Sequence, residues 1–245
     1  MNILICNDDG IFSEGISALA SVLKKNHNLT IIAPDGNRSG FSRSMSFHKE
    51  IKVIKQENFG DIEAYSLSGT PADCVKFALT VLDKKFDLVI CGINLGPNLG
   101  NDIFYSGTVN ACFEANLMGI PTMAFSNVAL KNFNFDGCTK FLENSFSKLL
   151  LMCDSSYTLN INIPNVDFSS IKGVKICKSG DIQYSDGYIK IDETTYKLVG
   201  EPIPPTEKDF GTDVYYASLG YVTITPVVHS VINDKIFDKL KEFEF

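Results

Sequence analysis

Two adjacent carboxylates near the start of the chain are the residues best suited to carry out chemistry. Asp8 and Asp9 follow the apolar run 3–6 and precede Gly10, where the absence of a Cβ lets the backbone turn. Neighbouring carboxylates repel, so one of them takes up a proton unless a cation neutralises the pair. A hard divalent ion does this well because it prefers oxygen ligands. The same residues are also common in solvated turns, and the pattern alone leaves both interpretations open.

Two later loops add oxygen donors to this pair. Ser39 lies in the polar loop 35–47, and Asn94 lies in the glycine-rich loop 92–102; each loop follows a predicted buried strand. In open α/β sheets, ligands bind in the crevice outside the carboxyl ends of the strands, so these loops are expected to meet there. A donor set made almost entirely of oxygen suits Mg²⁺ or Mn²⁺ better than zinc.

Backbone amides around a second group of residues could hold an anion. Gly96 lets backbone N–H groups approach a ligand closely, and Ser106, Gly107 and Thr108 stand at the start of a predicted helix, where the dipole favours negative charge. A metal beside an anion cradle suggests phosphoryl chemistry. Ser106 and Thr108 could equally be simple helix caps. Asn98 in the same stretch has the same two interpretations.

The elements that position these residues read as an alternation of strands and helices. A strand at 3–6, a helix at 14–25 capped by Ser13 and a strand at 29–33 form a β-α-β unit, which implies a parallel pair with a right-handed crossover. The fold class is therefore α/β. Further strands are predicted at 51–54, 62–67, 87–91, 121–125 and 157–163, and further helices at 70–83, 106–118 and 136–153.

The last third of the chain has a different pattern. Residues 173–199 alternate and are predicted to form a hairpin that turns at 185–187; strands at 214–217 and 221–225 follow, and a terminal helix covers 236–243. The predicted organisation is a core at 1–172 with the metal site, a hairpin excursion and linker at 173–212, returning strands at 213–228 and a tail at 229–245. The hairpin and the tail cannot readily bury their apolar side chains alone, so they need a surface on the same subunit's core or on a partner subunit. Exchange of identical elements is a low-cost route to a symmetric dimer, so a homodimer at least is predicted.

Composition excludes several classes of protein. The 245 residues carry a net charge of -7, which argues against a broad surface for a nucleic-acid polymer. No apolar run is long enough to span a membrane, and no signal peptide is read. The seven cysteines include no Cys-x-x-Cys pair, which favours reduced thiols in a cytoplasmic protein without a zinc site.

Six motifs along the chain carry a resemblance to a known family. They are Asn7-Asp8-Asp9-Gly10, Asn37-Arg38-Ser39-Gly40, and the segments 69–75, 92–100, 105–109 and 212–226. With these motifs in this order, the chain resembles the SurE family, stationary-phase survival proteins that act as 5′/3′-nucleotidases. Each motif is weak alone, and together they span most of the chain.

The resemblance implies a metal-dependent phosphatase that acts on nucleoside monophosphates. It also implies a Rossmann-like, mostly parallel sheet with helices on both faces, and elements exchanged between subunits of a homodimer or tetramer. Finer expectations are activity on 3′-nucleotides and short polyphosphate. The family's ligands for one divalent ion, Mg²⁺ or Mn²⁺, map onto Asp8, Asp9, Ser39 and Asn94. The nucleophile is either a water activated by the ion or one of the two carboxylates, and the sequence does not separate these.

A rival interpretation is a receiver-like signalling module that binds Mg²⁺ without turnover. Such a module also carries an acidic pair after its first strand, but it needs a phosphate-accepting Asp after a central strand. Here that strand ends in Asn94, which cannot accept phosphate. Phosphatases of the haloacid dehalogenase type are disfavoured as well, because their acidic motif is Asp-x-Asp and this pair is adjacent.

Overall fold

The computed structural model describes residues 1–229, 236–238 and 241. Nine strands form the main sheet, and a separate pair, β9 and β10, forms a hairpin. Numbered along the chain, the strands are β1 (Asn2–Cys6), β2 (Asn28–Pro34), β3 (Val53–Gln56), β4 (Glu63–Leu67), β5 (Leu88–Leu95), β6 (Thr122–Val128), β7 (Thr158–Pro164), β8 (Val174–Ile176), β9 (Gly187–Lys190), β10 (Tyr196–Val199) and β11 (Val222–Val227).

The order of the strands puts a crevice in the middle of the sheet. The full order is β3-β4-β2-β1-β5-β6-β7-β11-β8, and the strands from β4 to β7 are all parallel. Strands β3 and β11 run antiparallel to their neighbours β4 and β7. The six central strands follow the doubly wound order of a Rossmann-like fold, whose direction of winding reverses between β1 and β5. A ligand is expected outside that pair of strands.

Helices cover both faces of this sheet. They are α1 (Glu14–Leu23), α2 (Pro71–Val81), α3 (Gly107–Leu117), α4 (Asp136–Leu151) and α5 (Asp213–Ser218). Alternate residues of β1 face opposite sides: Ile3 and Ile5 pack in the core with α1 and α4, whereas Leu4 and Cys6 pack in the core with α2 and α3. This arrangement explains why β1 reads as a continuous apolar run. No helix within the described residues is long and apolar enough to cross a membrane.

The predicted elements up to residue 164 are all present, with small changes at their ends. The predicted strand at 87–91 continues to Leu95, so it carries Asn94 to the carboxyl edge of the sheet. Ser13 caps α1, and Thr70 and Asp73 form the predicted capping box of α2 with Pro71 in the first turn.

Two predictions for the last third of the chain are wrong. Residues 214–217 form part of α5 rather than a strand, because the Thr212 side chain caps the segment and the apolar Val214 and Ala217 stand three residues apart on its buried side. The hairpin does not turn at 185–187. Gly187 begins β9, and the chain reverses after Lys190, where Asp192 accepts hydrogen bonds from the N–H groups of residues 194 and 195.

Other parts of that region are placed differently or fall outside the description. Strand β8 pairs in parallel with β11, so the stretch at 174–176 belongs to the main sheet and not to the hairpin. The predicted tail at 229–245, with its helix at 236–243, lies outside the described residues except for 229, 236–238 and 241.

Candidate active site

The acidic turn after β1 is held by the side chain of Asn7, which is fully buried. Its Oδ1 accepts the N–H of Gly10 at 3.2 Å, and its Nδ2 donates to the Gly10 carbonyl at 3.1 Å and to the Ser13 hydroxyl at 2.7 Å. Ser13 also caps α1, so one amide joins the turn to the helix. Gly10 has a φ of 108° and packs on Gly36, where a Cβ would lie 3.2 Å from its carbonyl carbon. These contacts together favour the observed conformation of the turn.

Asp8 lies directly against the start of α3. It is 3% exposed, and its Oδ1 accepts a hydrogen bond from the Thr108 hydroxyl at 2.5 Å. A Cβ on Gly107 would lie 2.7 Å from the Asp8 Cβ, so only glycine allows this approach. The Ser106 hydroxyl caps the helix by accepting the N–H of Val109 at 3.0 Å. The structure thus brings the predicted anion cradle and the acidic pair together.

Asp9 lies against the end of β5. Its Oδ2 accepts the N–H of Leu95 at 3.1 Å. The neighbouring Asn94 donates its Nδ2 to the carbonyl of Gly96 at 2.9 Å, which leaves its carboxamide oxygen available as a ligand. Gly96 has a φ of 141°, a conformation that residues with a Cβ rarely adopt. Asp8, Asp9 and Asn94 therefore meet where the winding of the sheet reverses, as predicted.

The loop after β2 reaches the same turn through its backbone. The N–H of Arg38 donates to the carbonyl of Asp8 at 2.6 Å, and the N–H of Ser39 donates to Asn37 Oδ1 at 2.9 Å. Ser39 is exposed, one residue from this contact with Asp8. The Arg38 guanidinium forms an ion pair with Asp35 at 2.8 Å. Ser39 as a metal ligand stays a prediction.

Burial leaves the charge of the acidic pair uncompensated. Burial raises the pKa of Asp8 to about 7; the hydrogen bond from Thr108 opposes this rise and the charge of Asp9 adds to it. Burial also raises the pKa of Asp9, against the hydrogen bond from Leu95. None of the ion pairs among residues 1–229 includes either carboxylate. A hard cation would stabilise the ionised form of both carboxylates, and the oxygen donors around them fit Mg²⁺ or Mn²⁺.

Clusters built only from His, Cys, Asp and Glu give no further candidate. Within the described part of the chain, no group of three or more such side chains could hold a metal ion. The predicted metal site is not a cluster of this kind, because two of its four proposed ligands, Ser39 and Asn94, are not His, Cys, Asp or Glu. Burial raises the pKa of Cys74 and Cys91 well above the usual value, so these thiols are neutral core groups, as expected.

Asn98 has a structural role that the sequence did not indicate. Its carbonyl accepts hydrogen bonds from the side-chain amides of Asn160 and Asn162, its N–H donates to Asn162 at 2.8 Å, and its Nδ2 donates to the Ser126 hydroxyl at 2.8 Å. These contacts anchor the glycine-rich loop to β6 and β7. The signal for the partners was present, because Asn160 and Asn162 alternate with the apolar Leu159, Ile161 and Ile163 along the strand. Contact of Asn98 with substrate stays a prediction.

Asp213 was missed as a residue that shapes the site. It is fully buried and accepts N–H groups from Gly100 at 3.0 Å and from Gly180 and Val214 at 2.8 Å each. A Cβ on Gly100 would lie 2.6 Å from the carbonyl of Gly180, so the two segments touch. Its only sequence signal was a place in the last family motif.

Arg43 is tied to the helices rather than to the acidic pair. Its guanidinium lies 3.1 Å from a carboxylate oxygen of Glu114, and Lys76 lies 3.1 Å from the other oxygen. Glu114 is buried on α3, so this ion-paired group fastens the loop after β2 to α2 and α3. The contact gives Arg43 a structural role.

Replacement of Thr108 by valine tests the contact that joins the acidic turn to α3. We expect a loss of about 1–3 kcal/mol in the free energy of unfolding, because a buried carboxylate oxygen loses its hydroxyl donor without a change in shape. Urea unfolding in EDTA measures this loss without a contribution from bound cations. Thr108→Ser should retain most of the stability. Thr80→Val, at an exposed position of α2, is the matched control and should change it little. Equal stability of the Thr108 and Thr80 variants would contradict the assignment.

Comparison with known proteins finds a matching family model and relatives that align over nearly the whole chain. The family model described as "Survival protein SurE" matches residues 3–186. A protein of Clostridium botulinum named 5′-nucleotidase SurE is 40% identical and covers 99% of this chain and 98% of its own length. One of the same name from Clostridium beijerinckii is 40% identical and covers 98% of this chain and 100% of its own length.

A solved structure matches the fold over nearly the whole chain. The crystal structure of the SurE protein from Aquifex aeolicus superposes with a TM-score of 0.85, is 36% identical in sequence and covers 98% of both chains. The predicted family and the predicted fold class are both confirmed by these matches.

Proposed function

This chain belongs to the SurE family of phosphatase-type hydrolases, and on that premise we propose that it is a metal-dependent 5′-nucleotidase that hydrolyses nucleoside monophosphates. The observation that carries the proposal is the contact between Asp8 and Thr108, which seats an acidic pair on a helix start at the reversal point of the sheet. Names of the relatives support the reaction type. Activity on 3′-nucleotides and on short polyphosphate is part of the proposal.

One divalent ion, Mg²⁺ or Mn²⁺, would be held by Asp8, Asp9, Ser39 and Asn94. When bound, such an ion supplies positive charge that neutralises phosphate oxygens and lowers the pKa of water. Around it, Thr108 fixes one oxygen of Asp8 and the Leu95 amide fixes one oxygen of Asp9, which leaves each carboxylate one oxygen for the ion. Water or a carboxylate remain the two candidates for the nucleophile.

The start of α3 supplies the anion site for the phosphate. The Ser106 side chain and carbonyl accept the N–H groups of Val109 and Asn110, so the amides of Gly107 and Thr108 are the first-turn donors left for a ligand. They lie at the N-terminal, positive end of the helix dipole, which favours an anion. These amides would stabilise phosphate oxygens as negative charge develops on them.

The rival receiver-like module is disfavoured by the family assignment and by the site. Asn94 stands where such a module needs a phosphate-accepting carboxylate.

Among the residues described, the seven cysteines are all free, which supports our placement of the enzyme in the cytoplasm.

Replacement of Asp9 by asparagine should remove most of the activity while the fold is retained. We expect kcat to fall by at least about 100-fold, because loss of one anionic ligand costs more than the 10–100-fold typical of outer partners. Turnover of adenosine monophosphate with Mn²⁺ measures the effect. Asp61→Asn, at an exposed loop position, is the control and should retain activity. Wild-type turnover by a folded Asp9→Asn protein would refute the assignment.

Removal of metal should abolish turnover in the wild-type protein. EDTA is expected to stop hydrolysis, and Mn²⁺ or Mg²⁺ should restore it better than Zn²⁺, because the proposed ligands are all oxygen atoms. The ion should also raise the midpoint of thermal unfolding of the wild type, since it binds the native state, and should not raise that of Asp9→Asn. Restoration by zinc alone would show that the ligand set is wrong.

Exposed apolar side chains on the hairpin support assembly into a homodimer or a dimer of dimers. Tyr188, Tyr196 and Leu198 are each more than half exposed, and a lone hairpin is marginal in water. Light scattering at micromolar concentration should give a dimer or larger species. The double variant Tyr188→Ser and Leu198→Ser should shift it toward the monomer. A stable, active monomer of the unaltered chain would contradict this proposal.

A further inference from the structure

We propose that a cleft beside the acidic turn holds the nucleobase of the substrate, with Phe41 and Phe47 as its stacking surfaces. This inference rests on the proposed nucleotidase function and concerns the part of the substrate away from the phosphate. The cleft, called here the loop cleft, has a volume of about 580 Å³ and lies between the segment 38–49 and residues 68–70. Both phenylalanines line it; Phe41 is 48% exposed and Phe47 is 81% exposed.

The loop cleft adjoins the acidic turn at Arg38, which contacts both. Arg38 lines the cleft, and its N–H donates to the carbonyl of Asp8 at 2.6 Å. On the opposite wall, Thr70 caps α2, and the next residue, Pro71, presents its carbonyl to the Cys6 thiol at the end of β1. Both walls therefore start at the carboxyl end of β1. A substrate whose phosphate lies at Asp8 can extend its sugar and base into this space.

The walls of the loop cleft are held in place before any ligand binds. Ser46 donates its N–H and its hydroxyl to Asp73 at 3.1 Å and 2.8 Å, and the Thr70 hydroxyl donates to the Ser44 carbonyl at 2.7 Å. On the other side of the loop, the Ser42 hydroxyl donates to the Phe104 carbonyl at 2.6 Å. A fixed wall reduces the entropy that binding has to overcome.

The chemistry of the lining favours an aromatic, electron-rich occupant. Although the chain has a net charge of -7, no Asp or Glu of the described residues lines the loop cleft, and Arg38, His48 and Lys49 do. The Arg38 guanidinium lies 5.9 Å from the centroid of the Phe41 ring, so a cation and an aromatic surface are already adjacent. Bases stack on such surfaces, and the cations Arg38 and Lys49 suit a ligand that carries phosphate.

The same lining predicts weak discrimination between bases. The hydroxyls of Ser46 and Thr70 are committed to Asp73 and Ser44, and the Ser68 hydroxyl accepts the N–H of Lys52 at 2.9 Å. Few hydroxyl groups remain to read the edge of a base. Stacking is tolerant of sequence because every base has a π surface. The loop cleft should therefore accept purine and pyrimidine nucleotides alike.

The test compares substrates that share the phosphate and the sugar but differ in the base. Phe47→Ala and Phe41→Ala are assayed with adenosine monophosphate, uridine monophosphate and ribose 5-phosphate, in the presence of Mn²⁺. We expect kcat/KM for both nucleotides to fall roughly tenfold, mainly through KM, and kcat/KM for ribose 5-phosphate to stay unchanged. Phe47→Trp should retain nucleotide activity. Leu151→Ala, which removes an 88% exposed apolar side chain at the end of α4, is the matched control.

Other outcomes separate the inference from the function on which it rests. Equal losses on all three substrates would show that the phenylalanines support the phosphate site, and no loss on any would show that the base lies elsewhere; either overturns the inference. Unchanged kinetics with a smaller oligomer by light scattering would make the loop cleft a contact between copies of the chain, which also overturns it. If the wild type hydrolyses none of the three, the proposed function itself fails.

Discussion

Two adjacent carboxylates, one buried and one partly buried, are the constraint on which this structure depends. Asp8 is almost completely buried and adjoins Asp9, and burial raises the pKa of both side chains. The chain provides one hydroxyl, from Thr108, and one amide, from Leu95, as donors to the pair. Neither donor carries a charge, so the negative charge of the two carboxylates is not neutralised. An oxygen-preferring cation would neutralise it.

The loops around that pair are fixed by buried polar side chains that accept backbone N–H groups. Asn7 holds the acidic turn, Asp73 holds the end of the loop after β2, and Asp213 holds the glycine-rich loop through Gly100. An unsatisfied buried polar group is costly, so each contact strongly favours one arrangement of its loop. Rigid loops matter for phosphoryl chemistry because catalysis there depends mainly on positioning and charge.

Charge is distributed unevenly over a chain that is acidic as a whole. The net charge of -7 would repel a phosphate, yet Lys49 and the Asp35-paired Arg38 line the loop cleft, and no acidic side chain among the described residues does. Arg43 and Lys76 form ion pairs with the buried Glu114. Attraction for the proposed anionic substrate would therefore come from the helix start, from the cation that the acidic pair would bind and from the rim of the loop cleft.

The sequence by itself determined the class of fold and predicted the main parts of the candidate site. Continuous apolar strands such as 3–6 alternate with helical spacing, and that local periodicity predicts a parallel sheet whose carboxyl edge collects Asp8, Asp9 and Asn94. Only the tertiary structure decided which of the residues touch. Thr108 lies 100 positions from Asp8, and no local pattern reports a hydrogen bond at that separation. It also decided that Asn98 is an anchor and that residues 214–217 are helical, because burial and capping outweigh the weak strand preference of a short segment.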